Sequence, residues 1–179
     1  MARQYFRTIE GGDPPIASGA ALVSTSEELM WAPTDFSRID ANTARPGKAW
    51  KVSAGGIMSW ASTGTLVLTP RLGLLVSSPT LGVSVTALTT PGATTAHAWT
   101  LQFTTVCRTI GAAGANSTFI GTGMFWSSGI GTLGTSTGQS MGGAVATADA
   151  SIATGIAITK TLSVAGSITV QWIVMESLN

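Results

Sequence analysis

The 97 residues between Lys51 and Asp149 hold only two charged side chains, Arg71 and Arg108. Coiled coils and solvent-facing helices need Glu, Lys and Arg along one face, so a helical bundle is not expected. A transmembrane helix needs about 18 or more consecutive apolar residues. The most apolar stretch, Leu72 to Leu88, is broken by Gly73, Ser77, Ser78, Pro79 and Gly82. Disorder requires low hydrophobicity with high net charge, whereas this chain is 44% hydrophobic with a net charge of +1. A nucleic-acid binder needs a basic surplus, and 9 Lys and Arg stand against 8 Asp and Glu. The mean hydropathy of +0.37 comes from small and β-branched residues; Gly, Ala, Ser and Thr fill about half of the chain. That composition suits a soluble chain whose surface is largely covered by partners.

The remaining signal has a period of two, which is that of a strand. Ile152, Ile156, Ile158, Leu162 and Val164 share one parity. Beyond Gly166, Ile168, Val170, Trp172 and Val174 point one way, and Thr169, Gln171, Ile173 and Met175 the other. The two runs read as a terminal hairpin. Trp99, Leu101 and Phe103 alternate, and a phase slip at Thr104-Thr105 predicts a β-bulge there. Further strands are expected over Ala20–Val23, Ala49–Ile57, Thr65–Thr69, Gly82–Leu88 and Thr118–Trp126. Turn clusters separate them, among them Arg45-Pro46-Gly47, Ser62-Thr63-Gly64 and Pro91-Gly92. Short strands joined by such turns predict an all-β sandwich or barrel. Ser24 with Glu27, or Thr25 with Glu28, matches a capping box, but Pro33 closes the segment early, and a loop leading into a strand is the expectation. Residues 127–148, almost wholly Gly, Ser, Thr and Ala, read as a long loop. Gly11-Gly12-Asp13-Pro14-Pro15 breaks any element, so residues 1–18 read as an extended N-terminal arm and residues 19–179 as one β-sandwich domain.

No residue set carries chemistry. Gly129-Ile-Gly-Thr-Leu-Gly134 matches GxGxxG, but Thr135-Ser-Thr-Gly138 cannot open the helix that a dinucleotide site requires. His97, the only histidine, has no acid or nucleophile near it in sequence. Cys107, the only cysteine, has a strand position and reads as a buried small hydrophobe; no disulfide framework is available. Glu27, Glu28, Asp35 and Asp40 share a stretch with Arg38, Arg45, Lys48 and Lys51, so salt bridging or partner docking is expected rather than hydrolysis. Asn116-Ser-Thr118 is a sequon without a secretory context, because Met1 to Arg7 shows no apolar signal region. No enzyme activity, cofactor, metal, nucleic acid or membrane is expected. Six tryptophans stand out: Trp99 and Trp172 on strand-core parities, Trp60 and Trp126 at strand ends, with Trp31 and Trp50 before them.

Ser24-Thr-Ser-Glu-Glu-Leu-Met-Trp31 and Pro46-Gly-Lys-Ala-Trp-Lys-Val-Ser-Ala-Gly-Gly-Ile57 resemble stretches found in virion proteins of tailed bacteriophages. So do Gly64-Thr-Leu-Val-Leu-Thr-Pro-Arg-Leu-Gly73, Trp99-Thr-Leu-Gln-Phe-Thr-Thr-Val-Cys-Arg-Thr-Ile-Gly111 and the tail Glu176-Ser-Leu-Asn179. The resemblance spans roughly residues 20–179 and is to capsid decoration and minor structural proteins. It implies a jelly-roll-like β-sandwich, homotrimeric, on the outer capsid surface, and no catalytic residues. The expected partners are the major capsid protein and further copies of the chain. Arg3, Tyr5, Phe6 and Arg7 supply the charge-assisted and apolar contacts expected of a capsid-binding arm. The last strand, apolar on both parities, predicts a trimer interface of Val170, Trp172, Ile173 and Met175. The alternative is a head-fibre or tail-tip adhesin that presents Trp60 and Trp126 to a host receptor or glycan.

Overall fold

The computed structural model describes residues 21–32, 37–81, 85–89, 92–112, 114, 117–128 and 137–178. These residues form ten strands and no helix: β1 (Glu28–Leu29), β2 (Arg38–Ile39), β3 (Ala49–Trp60), β4 (Thr65–Leu72), β5 (Val85–Thr89), β6 (Thr94–Thr109), β7 (Ser117–Ser127), β8 (Thr137–Ala148), β9 (Thr154–Leu162) and β10 (Gly166–Leu178). The long strands build one sheet in the order β10-β3-β6-β7-β8. The second, shorter sheet runs β1-β9-β4-β5, and β2 pairs with β9 beyond β1. Every pairing is antiparallel. The inward side chains of both sheets form one cluster, with Val52, Leu101 and Phe103 of the long sheet and Leu66, Leu68 and Ile158 of the short one fully buried. This is the arrangement of a β-sandwich.

β9 and β10 do not form the expected hairpin. β9 is taken on one edge by β4 and on the other by β1 and β2. β10 lies in the opposite sheet, against β3. The three residues between them turn a corner from one sheet to the other. They run beside the matching corner between β3 and β4: Ala61 N–H donates to Ala165 O at 3.1 Å, and Ser163 N–H to Thr65 O at 3.0 Å. The ribbon β3·β10 therefore continues across the core as β4·β9. Alternation says which face of a strand is buried, not which strand lies beside it.

Three other expectations change. The alternation of β6 runs unbroken through Thr104-Thr105: Phe103, Thr105 and Cys107 are all fully buried, and Val106 faces outward. The irregularity against β7 lies further on, between Cys107 and Thr109. In β10 a bulge between Val170 and Trp172 inserts Gln171 and reverses the phase. Ile173 and Met175 therefore join Ile168 and Val170 in the core, whereas Trp172 and Val174 turn outward. Much of residues 127–148 is not a loop, because ten of the twelve residues of β8 pair with β7. Of the strand expected over Ala20–Val23, Ala20 lies outside the described residues, and among the others Leu22 bridges, exchanging two backbone hydrogen bonds with Ile168 at the outer edge of β10.

Candidate interaction surfaces

Beyond Leu22 the chain crosses to the short sheet, where ion pairs fasten it. β1 aligns Glu28 with Lys160 of β9. Lys160 has the inward parity of Ile156, Ile158 and Leu162, and its side chain is fully buried. Its Nζ meets Glu28 Oε1 at 2.5 Å and also donates to the Ser24 carbonyl. On the other side of the strand, Arg71 reaches Glu27 at 2.6 Å, and Thr159 donates its hydroxyl to the same carboxylate. Trp31 closes the strap: it is buried, and its Nε1–H donates to Ser37 Oγ at 2.8 Å. The salt-bridging expectation for Glu27 and Glu28 thus finds its partners in Arg71 and Lys160, which lie far away in sequence. Asp40 pairs with Arg38 at 3.2 Å, and Asp35 lies outside the described residues.

Burial alone pushes the Glu27 carboxyl up, but the Thr159 hydroxyl and the Arg71 guanidinium together outweigh it and hold it below its ordinary value of 4.5. A depressed carboxyl contributes stability that is complete above the ordinary value and is lost as pH falls through the lower folded value. Arg71→Met should therefore flatten the acid limb of the stability curve. Urea midpoints of wild type and variant should differ at neutral pH and converge under acid conditions; a constant difference down to acid pH would contradict this role for the pair.

The remaining cations behave differently. Arg45 and Lys48 form no ion pair among the described residues. Both line an open cleft of about 620 Å³ with Asn42, Thr43, Pro46, Gly47 and Ser177. The Lys48 ammonium stands 5.6 Å from the Trp50 ring centroid. The cleft walls are pinned: Asn42 N–H donates to Ala150 O, and Gly47 N–H and Lys48 O bond Cys107.

The outer face of the long sheet keeps its charged residues, Lys51, Arg108 and Glu176, toward one end. One complete row across its five strands is Trp172, Gly55, Thr100, Trp126 and Gly138. The next is Val174, Ser53, Gln102, Met124 and Ser140. Each outward indole lies against a glycine: a Cβ on Gly55 would fall 2.5 Å from Trp172 Nε1, and one on Gly138 would fall 3.0 Å from Trp126 Nε1. Any side chain at Gly55 would displace the ring of Trp172. Val174 and Met124 are 43% and 40% exposed.

Of the residues singled out in the sequence, Arg3, Tyr5, Phe6 and Arg7 lie outside the described residues, as do the arm to which they belong, the Gly129–Gly134 motif and Asn116. Val170, Ile173 and Met175 lie in the core of their own chain, and only Trp172 of that set faces outward. Trp60 is enclosed in the core and Trp126 faces outward. Cys107 is a free, buried thiol, and burial raises its pKa. Among the described residues no three His, Cys, Asp or Glu side chains gather where a metal could bind, and no helix is long and apolar enough to cross a membrane. Compared with protein-family models, curated proteins and solved structures, the chain matches none.

Proposed function

We propose that the chain is a bacteriophage capsid decoration protein: a homotrimer that binds the outer surface of the major capsid protein shell and stabilises the head. The observation that carries this reading is the sorting of charge. Arg38, Arg71 and Lys160 are matched by acids of the same chain. Among the described residues Arg45 and Lys48 meet no acid, and the two central rows of the widest sheet face carry no charge. One chain thus has two surfaces of different chemistry, as a protein does that meets both copies of itself and a foreign shell. The ribbon that passes from β3·β10 to β4·β9 is the kind of crossing on which a jelly-roll-like sandwich is built, and the resemblance to phage virion proteins points the same way.

The arm of residues 1–18 supplies the main shell contact in this reading, through Arg3, Tyr5, Phe6 and Arg7. Co-sedimentation with purified shells of the encoding phage tests it. The full chain should saturate the shell in hundreds of copies, and a chain lacking residues 1–18 should lose binding while keeping its oligomeric state. Undiminished binding by the shortened chain would remove the arm from the mechanism. A handful of copies at one vertex would favour the adhesin, for which outward Trp126 is the one supporting observation.

A further inference from the structure

We propose that the outer face of the long sheet is the self-association surface of this protein, buried against a second copy of the chain, with Trp126, Trp172, Met124 and Val174 at its centre. The inference rests on the self-association proposed above and not on its threefold count, since one face packed on its like closes a dimer, and it replaces the core-facing residues of β10 with outward ones. Five strands spaced about 4.8 Å apart, over some eleven residues at about 3.4 Å each, span roughly 900 Å². A stable interface needs about 800 Å² from each partner, a size this face reaches when its charged end at Lys51, Arg108 and Glu176 is counted.

Its chemistry selects a like surface. The Trp172 and Val174 rows cross all five strands without a charge, so a charged partner would lose hydration there and gain no ion pair. A second copy brings the same uncharged rows and loses nothing comparable. The two indoles are already seated against Gly55 and Gly138, so little side-chain freedom remains to be lost on contact. Exposed Val174 and Met124 supply the apolar area between them. Lys51 and Glu176 fall in the following row, opposite each other, and mark the charged rim.

Sedimentation velocity of the full chain at micromolar concentration tests the assignment. Wild type should sediment as a closed oligomer. Met124→Glu and Val174→Glu should each weaken association about a hundredfold or more, because a carboxylate would be buried without a partner. Their far-UV circular dichroism should stay native, since both positions are solvent-exposed in the single chain. Leu75→Glu and Ile152→Glu, at positions 64% and 60% exposed outside the strands, should leave the oligomer intact. A monomeric wild type, or glutamate variants that remain oligomeric, would overturn the proposal. So would a monomer whose tryptophan fluorescence is quenched by a neutral oligosaccharide and loses that response in Trp126→Ala. Shell binding is read separately: an oligomer without shell affinity refutes decoration alone, and a monomer that binds shells refutes this interface alone.

Discussion

Lys160→Ala is expected to destabilise the protein by about 3 kcal/mol, at the low end of the range for breaking a buried ion pair. The ammonium is fully buried, between Ile158 and Leu162 on its own strand and opposite Leu68 of β4. Its only compensation is Glu28 Oε1 at 2.5 Å and the Ser24 carbonyl. Alanine removes both contacts and leaves a void where three methylenes and the ammonium packed. The low end applies because the Glu28 side chain is 31% exposed and its carboxylate can turn to water once the lysine is gone. Lys160→Met keeps most of the volume and should lose less. The pair Lys160→Met with Glu28→Leu should recover most of the remainder, since no orphaned charge is left. Urea unfolding of wild type, Lys160→Met, Glu28→Leu and the pair gives the coupling directly. A Lys160→Ala midpoint equal to wild type would show that the strap is held by Trp31 and the Arg71–Glu27 pair without it. The pair matters beyond its own energy because β1 covers part of the β9 edge, and an open strand edge invites pairing with other chains.

The sequence made the strand faces legible and left the strand partners obscure. β4 alternates most cleanly, with Leu66, Leu68 and Leu72 buried and Thr65, Thr69 and Arg71 between them, whereas β7 shows its core face through Phe119 and Phe125 although Ile120, Met124 and Trp126 take the other parity. β8 has no such contrast: Gly138 to Ala148 holds mostly small residues, and it is the hydrogen-bonding edge of β7 that recruits them. The corner between β9 and β10 was hidden because a short turn with glycine serves a hairpin and a sheet crossing equally well. Lys160 was the least legible residue, a cation on a core parity whose partner stands 132 positions away. The outward rows were equally unreadable, because Trp172 and Trp126 become neighbours on one surface only once β3 and β6 are placed between them.

Deletions in β10 separate a bulge from a true change of frame. Removing Ile173 should abolish folding, and removing Gln171 should not. The structure pairs Val170 with Gly56 and Trp172 with Gly55, so Gln171 is the one residue without a partner of its own on β3. Without it, Val170 and Trp172 become neighbours, and regular alternation places Val170, Ile173 and Met175 inward and Trp172 and Val174 outward, as they already lie. Only the local twist and bend of the bulge are lost, at a cost of about 1 kcal/mol or less, the size of a typical single change. Removing Ile173 keeps the bulge and shifts everything after Trp172 by one position. Val174 then replaces Ile173 in the core, Met175 swings to solvent, and Glu176 is driven against Val52. An unpaired buried carboxylate, together with the loss of Met175 from the core and a valine in place of Ile173, exceeds the stability of an ordinary domain. The Gln171 deletion should give soluble protein with one cooperative thermal transition, and the Ile173 deletion should give inclusion bodies or a chain without a transition. If both deletions behaved alike, the phase of β10 would not be set at Gln171, and Trp172 would have no reason to face outward.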